Sequence, residues 1–329
     1  MQLNGVGSSR HEALATDRFQ LILMPTEACN FRCTYCYEDF RHARMSDELV
    51  GGVERFIARR VGPLRWLDLS WFGGEPLAAS DIVLRILEFT ARLAADRPGL
   101  TVRSDMTTNA WYLTPALFER LVALGVRKYQ VTFDGDAAVH DHRRVRKGGG
   151  ATFDRLWTHI RSMKDTPHDF RVMLRLHLAA DNLDSLASFL DRLRDDLGGD
   201  PRFVLFPKML ARWGSPADAR LPVLDREAGR QAVARLRETA GAMGIPLHQD
   251  APGAGVCYAA RANALVVRAD GRLNKCTIAL EAPENQVGRL GADGRPVFEP
   301  GRLLPWMRGL DTGAAGELAC PKRGLVGAA

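Results

Sequence analysis

Two hydrophobic periods alternate along the first two hundred residues of the chain. Short, mostly apolar runs fall at residues 19–24, 66–71, 100–106, 129–133, 171–178 and 203–206, the signature of strands buried on both faces of a parallel sheet. Amphipathic helices are predicted between them. Ser46 caps one, with Asp47 and Glu48 in the first turn and Leu49, Val53, Phe56 and Ile57 on a single face. Others open after Ser80, at Thr114-Pro115 with proline at the first helical position, at Thr152, and at Asp181 or Asn182. Such alternation predicts successive right-handed βα units around a parallel sheet. Six units are too few to close an eight-fold barrel, so the expected class is α/β, a partial (βα)6 barrel of TIM type with a small C-terminal extension.

The pattern changes after Phe206. Pro207, the run Trp213-Gly214-Ser215-Pro216, and Leu221-Pro222 form a linker-like stretch, followed by a helix over 225–243 and then by Pro246, Pro252, Gly253 and Gly255. The expected organisation is an N-terminal extension over 1–18, the core over 19–206, a linker and helix over 207–250, and a distinct region over 251–329.

Polar and glycine-rich signals recur where the strands end: a cysteine loop after the first, Gly73-Gly74-Glu75-Pro76 after the second, Thr107-Thr108-Asn109, then Thr132-Phe133-Asp134-Gly135, and Arg175 and His177 late in the fifth. In parallel barrels, reaction chemistry gathers at the carboxyl ends of strands, so five such signals predict one site. Gly148-Gly149-Gly150 is not a phosphate loop, since no Lys-Ser/Thr follows.

Composition narrows the field. The chain has 329 residues, 46% of them apolar, enough for a sizeable core, and a formal charge of +6 without a basic block, which does not argue for nucleic acid. No apolar run approaches the ~20 residues of a membrane span, and residues 1–18 lack the apolar core of a signal peptide. A cytoplasmic protein is expected, where thiols stay reduced and six cysteines suggest metal before disulfide.

Those cysteines form two groups of three. The first is Cys29, Cys33 and Cys36, spaced C-x3-C-x2-C with Tyr35 before the last. Three thiolates are one short of the four that close a structural zinc or ferredoxin-type site; a cubane held by three would keep one iron open, and a zinc loop or a set of buried thiols is the alternative. This motif resembles the signature of radical S-adenosylmethionine (radical SAM) enzymes. The resemblance implies a 4Fe-4S cluster on Cys29, Cys33 and Cys36, chelation of the open iron by the methionine amino and carboxylate groups of SAM, and reductive cleavage to a 5′-deoxyadenosyl radical that abstracts hydrogen. It implies the partial-barrel fold as well.

Further assignments follow from that resemblance. Gly73-Gly74-Glu75-Pro76 resembles the family's GGE motif, whose glycines admit close backbone approach and whose Glu75 would accept the SAM ammonium; a plain turn is the alternative. Asn109 and Thr132 are candidates for the ribose hydroxyls and methionine carboxylate, Arg175 for that carboxylate, and Tyr35 and Leu176 for packing around adenine. Asp134-Gly135 with His140, Asp141 and Arg143 resembles a segment of the peptide-modifying branch, or is a salt-bridge network in a loop.

The second group, Cys257, Cys276 and Cys320, has C-x13-G-x4-C between its first two members. A strand at 264–268, a turn at Ala269-Asp270-Gly271 and a return strand at 272–274 would bring those thiols near one another. A helix around 304–310 precedes Cys320. The spacing resembles the SPASM/twitch region, which implies a second, auxiliary iron–sulfur cluster, also 4Fe-4S. A full SPASM region continues C-x2-C-x5-C-x3-C; here Arg323 and Ala329 stand at the next two places, so a further cluster is not expected and Cys320 is either a ligand or a hydrogen donor.

The expectation is a maturase of a ribosomally made precursor peptide that forms a crosslink, drawing electrons from a flavodoxin or ferredoxin, with leader binding left to the barrel surface or a separate protein. The rivals are a peptide epimerase, a small-molecule dehydrogenase, and a sulfatase-maturase-like dehydrogenase, against which Thr277 counts because those enzymes carry an aspartate after the second auxiliary cysteine. The non-enzyme rival is a protein that uses both triads structurally.

Overall fold

The computed structural model describes residues 10–214, 217–249 and 255–325. Ser215, Pro216, Pro252 and Gly253 of the linker-like stretches lie outside the described residues, as do residues 1–9 of the N-terminal extension. By compactness the chain divides into two units. The first gathers 1–28, 38–106 and 250–329, the second 29–37 and 107–249.

In the first unit, strand Arg18–Leu23 pairs in parallel with Trp66–Trp71, which pairs in parallel with Thr101–Thr107. The apolar runs make these strands because both faces are covered; Leu21, Leu23, Leu69 and Trp71 are essentially inaccessible. Helix Asp47–Arg60 starts at the expected cap, where Ser46 Oγ accepts from the Leu49 N–H at 3.2 Å. Helix Ser80–Ala95 buries Ile82, Val83, Ile86, Leu87 and Thr90.

The same unit holds a feature that the local pattern only half predicts. Ala264–Val267 and Arg272–Asn274 form the expected antiparallel hairpin around Gly271, whose φ of 85° needs glycine. Ala264–Val267 also pairs in parallel with Arg18–Leu23. A four-residue strand joining another some 240 positions away leaves no local signal. Gln286–Leu290 and Pro296–Phe298 extend the hairpin antiparallel. Helix Leu304–Thr312 stands where expected, followed by the short helix Ala315–Ala319.

In the second unit, Val126–Phe133, Arg171–Leu178 and Phe203–Met209 are parallel neighbours in that order. Thr114 Oγ1 caps helix Pro115–Ala123 as expected. Thr152 precedes helix Phe153–Lys164 without capping it; Asp141 Oδ1 takes the Thr152 and Phe153 N–H groups instead, at 2.7 and 2.8 Å. Asn182 opens a 3-10 turn, Leu183–Ser185, before helix Leu186–Leu197. A two-stranded ribbon, Phe31–Cys33 with Arg144–Arg146, was not legible as strands at three residues each. Among the described residues no helix is long and apolar enough to cross a membrane.

Candidate active site

The first cysteine loop is built into the second unit by its own backbone. Phe31–Cys33 runs antiparallel to Arg144–Arg146, with Cys33 opposite Arg144. The Lys147 N–H donates to Asn30 O at 2.7 Å and the Thr34 N–H to Arg143 O at 2.9 Å. The Phe31 N–H points at Cys29 Sγ, 3.3 Å away, and Cys36 N–H closes a turn on Cys33 O. Phe31 packs edge-on against Trp111. None of the three cysteines is in a disulfide, and all are half-buried. A loop with three reduced thiols, an N–H directed at sulfur and a cation opposite the middle cysteine has the donor chemistry that iron–sulfur clusters use.

Tyr35 ties the loop to the strand ends. Its hydroxyl donates to Asp134 Oδ2 at 2.7 Å and accepts from Arg144 at 2.7 Å, and its ring meets His177 edge-on at 5.0 Å. Asp134 Oδ1 takes His177 Nδ1 at 3.1 Å, while Asn182 Nδ2 donates to the carbonyls of Asp134 and His177. Burial would raise the Asp134 carboxyl, but the His177 hydrogen bond and the Arg144 charge hold it well below the usual carboxylate range. Burial, followed by the nearby Arg175, pulls His177 down to about 4, so its ring is neutral at pH 7 and Nδ1 donates.

The Asp134–Arg143 segment therefore resolves into scaffold roles. Asp134 receives the tyrosine, Asp141 caps the following helix, and Arg143 pairs with Asp181. His140 packs on Phe133 and Phe153 with no partner at either ring nitrogen. The sequence showed the residue types, and only the fold shows that Tyr35 and Arg144 belong to the same network.

The other strand-end candidates take distinct places. Asn109 donates to Asn30 Oδ1 at 2.8 Å, approaches Cys29 Sγ at 3.8 Å, and accepts the Trp111 N–H. It thus braces the cysteine loop. Thr132 and Arg175 are register partners on adjacent strands. Arg175 is half-buried and its Nε has no hydrogen-bond partner; burial pulls its pKa down. A guanidinium so placed can take a carboxylate. Leu176 is fully buried in this unit's core.

In the first unit, Gly73 and Gly74 lie against the backbone just ahead of the cysteines. A Cβ on Gly74 would stand 2.5 Å from the carbonyl oxygens of both Glu27 and Ala28, and one on Gly73 would strike Thr26 O, in addition to requiring φ of 119°. The close approach expected of these glycines is thus an approach to residues 26–28. The Gly74 N–H donates to Thr26 O and the Glu75 N–H to Ala28 O, at 3.3 and 3.0 Å. Glu75 is fully buried, and its Oε1 takes the Leu77 N–H at 3.0 Å, starting the 3-10 turn Pro76–Ala79.

The second cysteine group lies within the first unit. The Cys257 N–H donates to Leu318 O, and Cys320 ends the helix that carries Leu318. Cys276 is fixed by Asn285, which accepts its N–H at 2.8 Å and donates to its carbonyl at 2.7 Å. Burial raises the Cys257 thiol. Thr277, next after Cys276, has its hydroxyl 2.7 Å from Tyr258 Oη, which accepts the Thr277 N–H at 2.8 Å. Lys275 is buried, with Nζ on the carbonyls of Arg261 and Ala264; no sequence signal marked it.

Comparison with known proteins shows the family. The Radical SAM superfamily model matches residues 23–189, half of the chain, which therefore belongs to that family and is a radical SAM enzyme. Members use SAM and a 4Fe-4S cluster. A serine-type anaerobic sulfatase-maturating enzyme of Klebsiella pneumoniae is 28% identical over 171 residues, which take in 48% of this chain and 41% of that protein. The chain thus matches well under half the length of that curated relative. A GTP 3',8-cyclase of Paenarthrobacter nicotinovorans is 26% identical over 317 residues, 84% of this chain and 82% of the other. The solved structure of native anSMEcpe with bound AdoMet and Cp18Cys peptide superposes with TM-score 0.65 at 13% identity, over 87% of this chain and 81% of that one. Streptococcus suis SuiB bound to precursor peptide SuiA gives 0.64 at 12%, over 89% and 67%. These likenesses establish the α/β radical SAM fold, the partial-barrel class expected from the alternating pattern.

Proposed function

We propose that Cys29, Cys33 and Cys36 hold the 4Fe-4S cluster, that the enzyme abstracts hydrogen from a peptide, and that the product is a crosslink in a ribosomally made precursor. The observation that carries this is the three-cysteine loop, pinned by Tyr35 and Asn109 in a chain of the radical SAM family. When bound, the cluster supplies one electron to SAM, yielding methionine and the 5′-deoxyadenosyl radical. This chain's residues do the binding and orienting. Arg175 takes the SAM carboxylate, Thr132 and Asn109 serve the ribose and methionine ends, Glu75 takes the ammonium, and Tyr35 and Leu176 wall the adenine side. Cys257, Cys276 and Cys320 hold an auxiliary cluster, the alternative for Cys320 being a hydrogen donor. The peptide class is supported by the fold likeness to structures that contain peptides. The electron donor is of the flavodoxin or ferredoxin type, and a separate protein would grip a leader.

A second reading, modification of a small molecule such as a purine nucleotide, is favoured by the cyclase match over most of both chains. The test is anaerobic incubation of the protein with SAM and dithionite. 5′-Deoxyadenosine should form, and C29A/C33A/C36A should abolish it; unchanged cleavage in that variant refutes the cluster assignment. Co-expression with a short peptide encoded beside the gene should then change that peptide's mass, whereas consumption of GTP would favour the second reading.

A further inference from the structure

One buried ion pair in the first unit has no part in that function. Arg268, at the end of strand Ala264–Val267 and on the hairpin that leads to Cys276, has no solvent exposure. Its Nε and Nη2 grip both oxygens of Glu27 at 2.8 and 2.6 Å, a bidentate pair with a carboxylate only 2% exposed. Nη1 donates to Leu280 O at 2.7 Å and Nη2 to Glu281 at 2.6 Å. Every face of the guanidinium fork is thereby held by protein.

Glu27 sits two residues ahead of Cys29. Its neighbours carry the glycine turn, since Thr26 O and Ala28 O receive the N–H groups of Gly74 and Glu75. The Glu27 N–H is held by His42 O at 2.9 Å, and the carbonyls of 26–28 leave no room for a Cβ at Gly73 or Gly74. A shift of residues 26–28 would therefore move the first cysteine's attachment and the Glu75 turn together.

We infer that Arg268 is a positioning residue: a strut through which the hairpin bearing Cys276 sets the backbone that carries both Cys29 and the Gly74–Glu75 turn. The fork fits this task because a bidentate guanidinium fixes distance and angle, which a lysine ammonium cannot. Mutual desolvation makes the pair a poor source of net stability, so its gain lies in geometry.

The inference rests on the proposed binding of SAM at this site. SAM is titrated anaerobically into the dithionite-reduced full-length protein, and the electron paramagnetic resonance spectrum of the first cluster is followed. R268Q should keep the parent's iron content and lose at least about tenfold in SAM affinity, the scale of losing a residue that orients a ligand-bearing segment. E27Q should lose affinity as well. The double variant should be no worse than R268Q alone, because both changes remove one contact. R268K, with charge but no fork, should fall between parent and R268Q. Parent-like SAM affinity in R268Q, even with a lowered melting temperature, overturns the strut, and so do additive losses in the double variant. If R268Q does not fold, the nearly isosteric E27Q decides, and parent-like affinity there overturns it. A parent protein that never cleaves SAM refutes the function and the strut with it; one that cleaves SAM while R268Q matches it refutes the strut alone.

Discussion

At the scale of single residues, the motif Gly73-Gly74-Glu75 combines two demands. Gly74 is required by sterics alone, because its neighbours are the fixed carbonyls of Glu27 and Ala28 rather than yielding side chains. G74A should therefore lower unfolding free energy by about 1–3 kcal/mol, the usual cost of overpacking, measured by denaturant titration. Gly62, where an added methyl would meet nothing within 4 Å, is the control, and G62A should stay close to the parent. Glu75 combines capping with charge. Glutamine keeps an acceptor for the Leu77 N–H, so E75Q should fold and keep its iron. It should nonetheless bind SAM more weakly by ~1–3 kcal/mol, since a charge-assisted partner of the ammonium is gone. An unchanged dissociation constant would reduce Glu75 to its role in the turn.

At the scale of elements, the helix Ala137–Arg143 and the strand Arg171–Leu178 each bury a histidine. Burial first, then the Arg144 charge, depresses His140 to about 3, and burial with Arg175 depresses His177 to about 4. Both lie below the ordinary 6.5 of an unfolded histidine, so between about 4 and 6.5 the unfolded chain binds more protons than the folded one. Their contribution is fully present above pH 6.5 and is lost as pH falls toward 4, at about 1.4 kcal/mol per pH unit for each proton taken up. Denaturation at pH 7, 6 and 5 should show that slope. The His140 ring packs on Phe133 and Phe153 and has no partner on either nitrogen, so H140F should flatten the slope by about one proton's worth while leaving stability at pH 7.5 nearly unchanged. A slope identical to the parent's would show that His140 binds its proton equally in the folded and the unfolded chain, so that burial does not depress it.

At the scale of the whole molecule, the proposed function divides the labour between the two cysteine groups, one making the radical and the other serving substrate or electron. Reconstituted protein should hold about eight irons per chain if both sites are cubanes. C257A/C276A/C320A should keep about half of that iron and still release 5′-deoxyadenosine while losing product. Loss of SAM cleavage in that variant would join the two sites more tightly than a division of labour allows. In single C320A, iron that falls marks a ligand, and iron that persists with failed product quenching marks a donor.

The alternating pattern and the cysteine spacing were enough to set the class. Apolar runs such as Trp66–Trp71 and Arg171–Leu178 appear at the expected bounds, because burial on both faces writes itself into consecutive residues. Caps such as Ser46 and Thr114 are equally local. Cys29, Cys33 and Cys36 lie within eight positions of sequence, so their spacing is visible without any tertiary contact and carries the family resemblance. What the sequence left open depends on contacts between distant residues. Ala264–Val267 becomes a partner of Arg18–Leu23 only when the fold brings them together. Tyr35 lies far in sequence from Asp134 and Arg144, which hold its hydroxyl, and Glu27 is still farther from Arg268. Hydrogen bonds and ion pairs act over a few ångströms in space and carry no periodicity along the chain. The sequence could therefore single out the cysteines proposed to hold the cluster, while the residues that hold their loop in place were decided by tertiary structure.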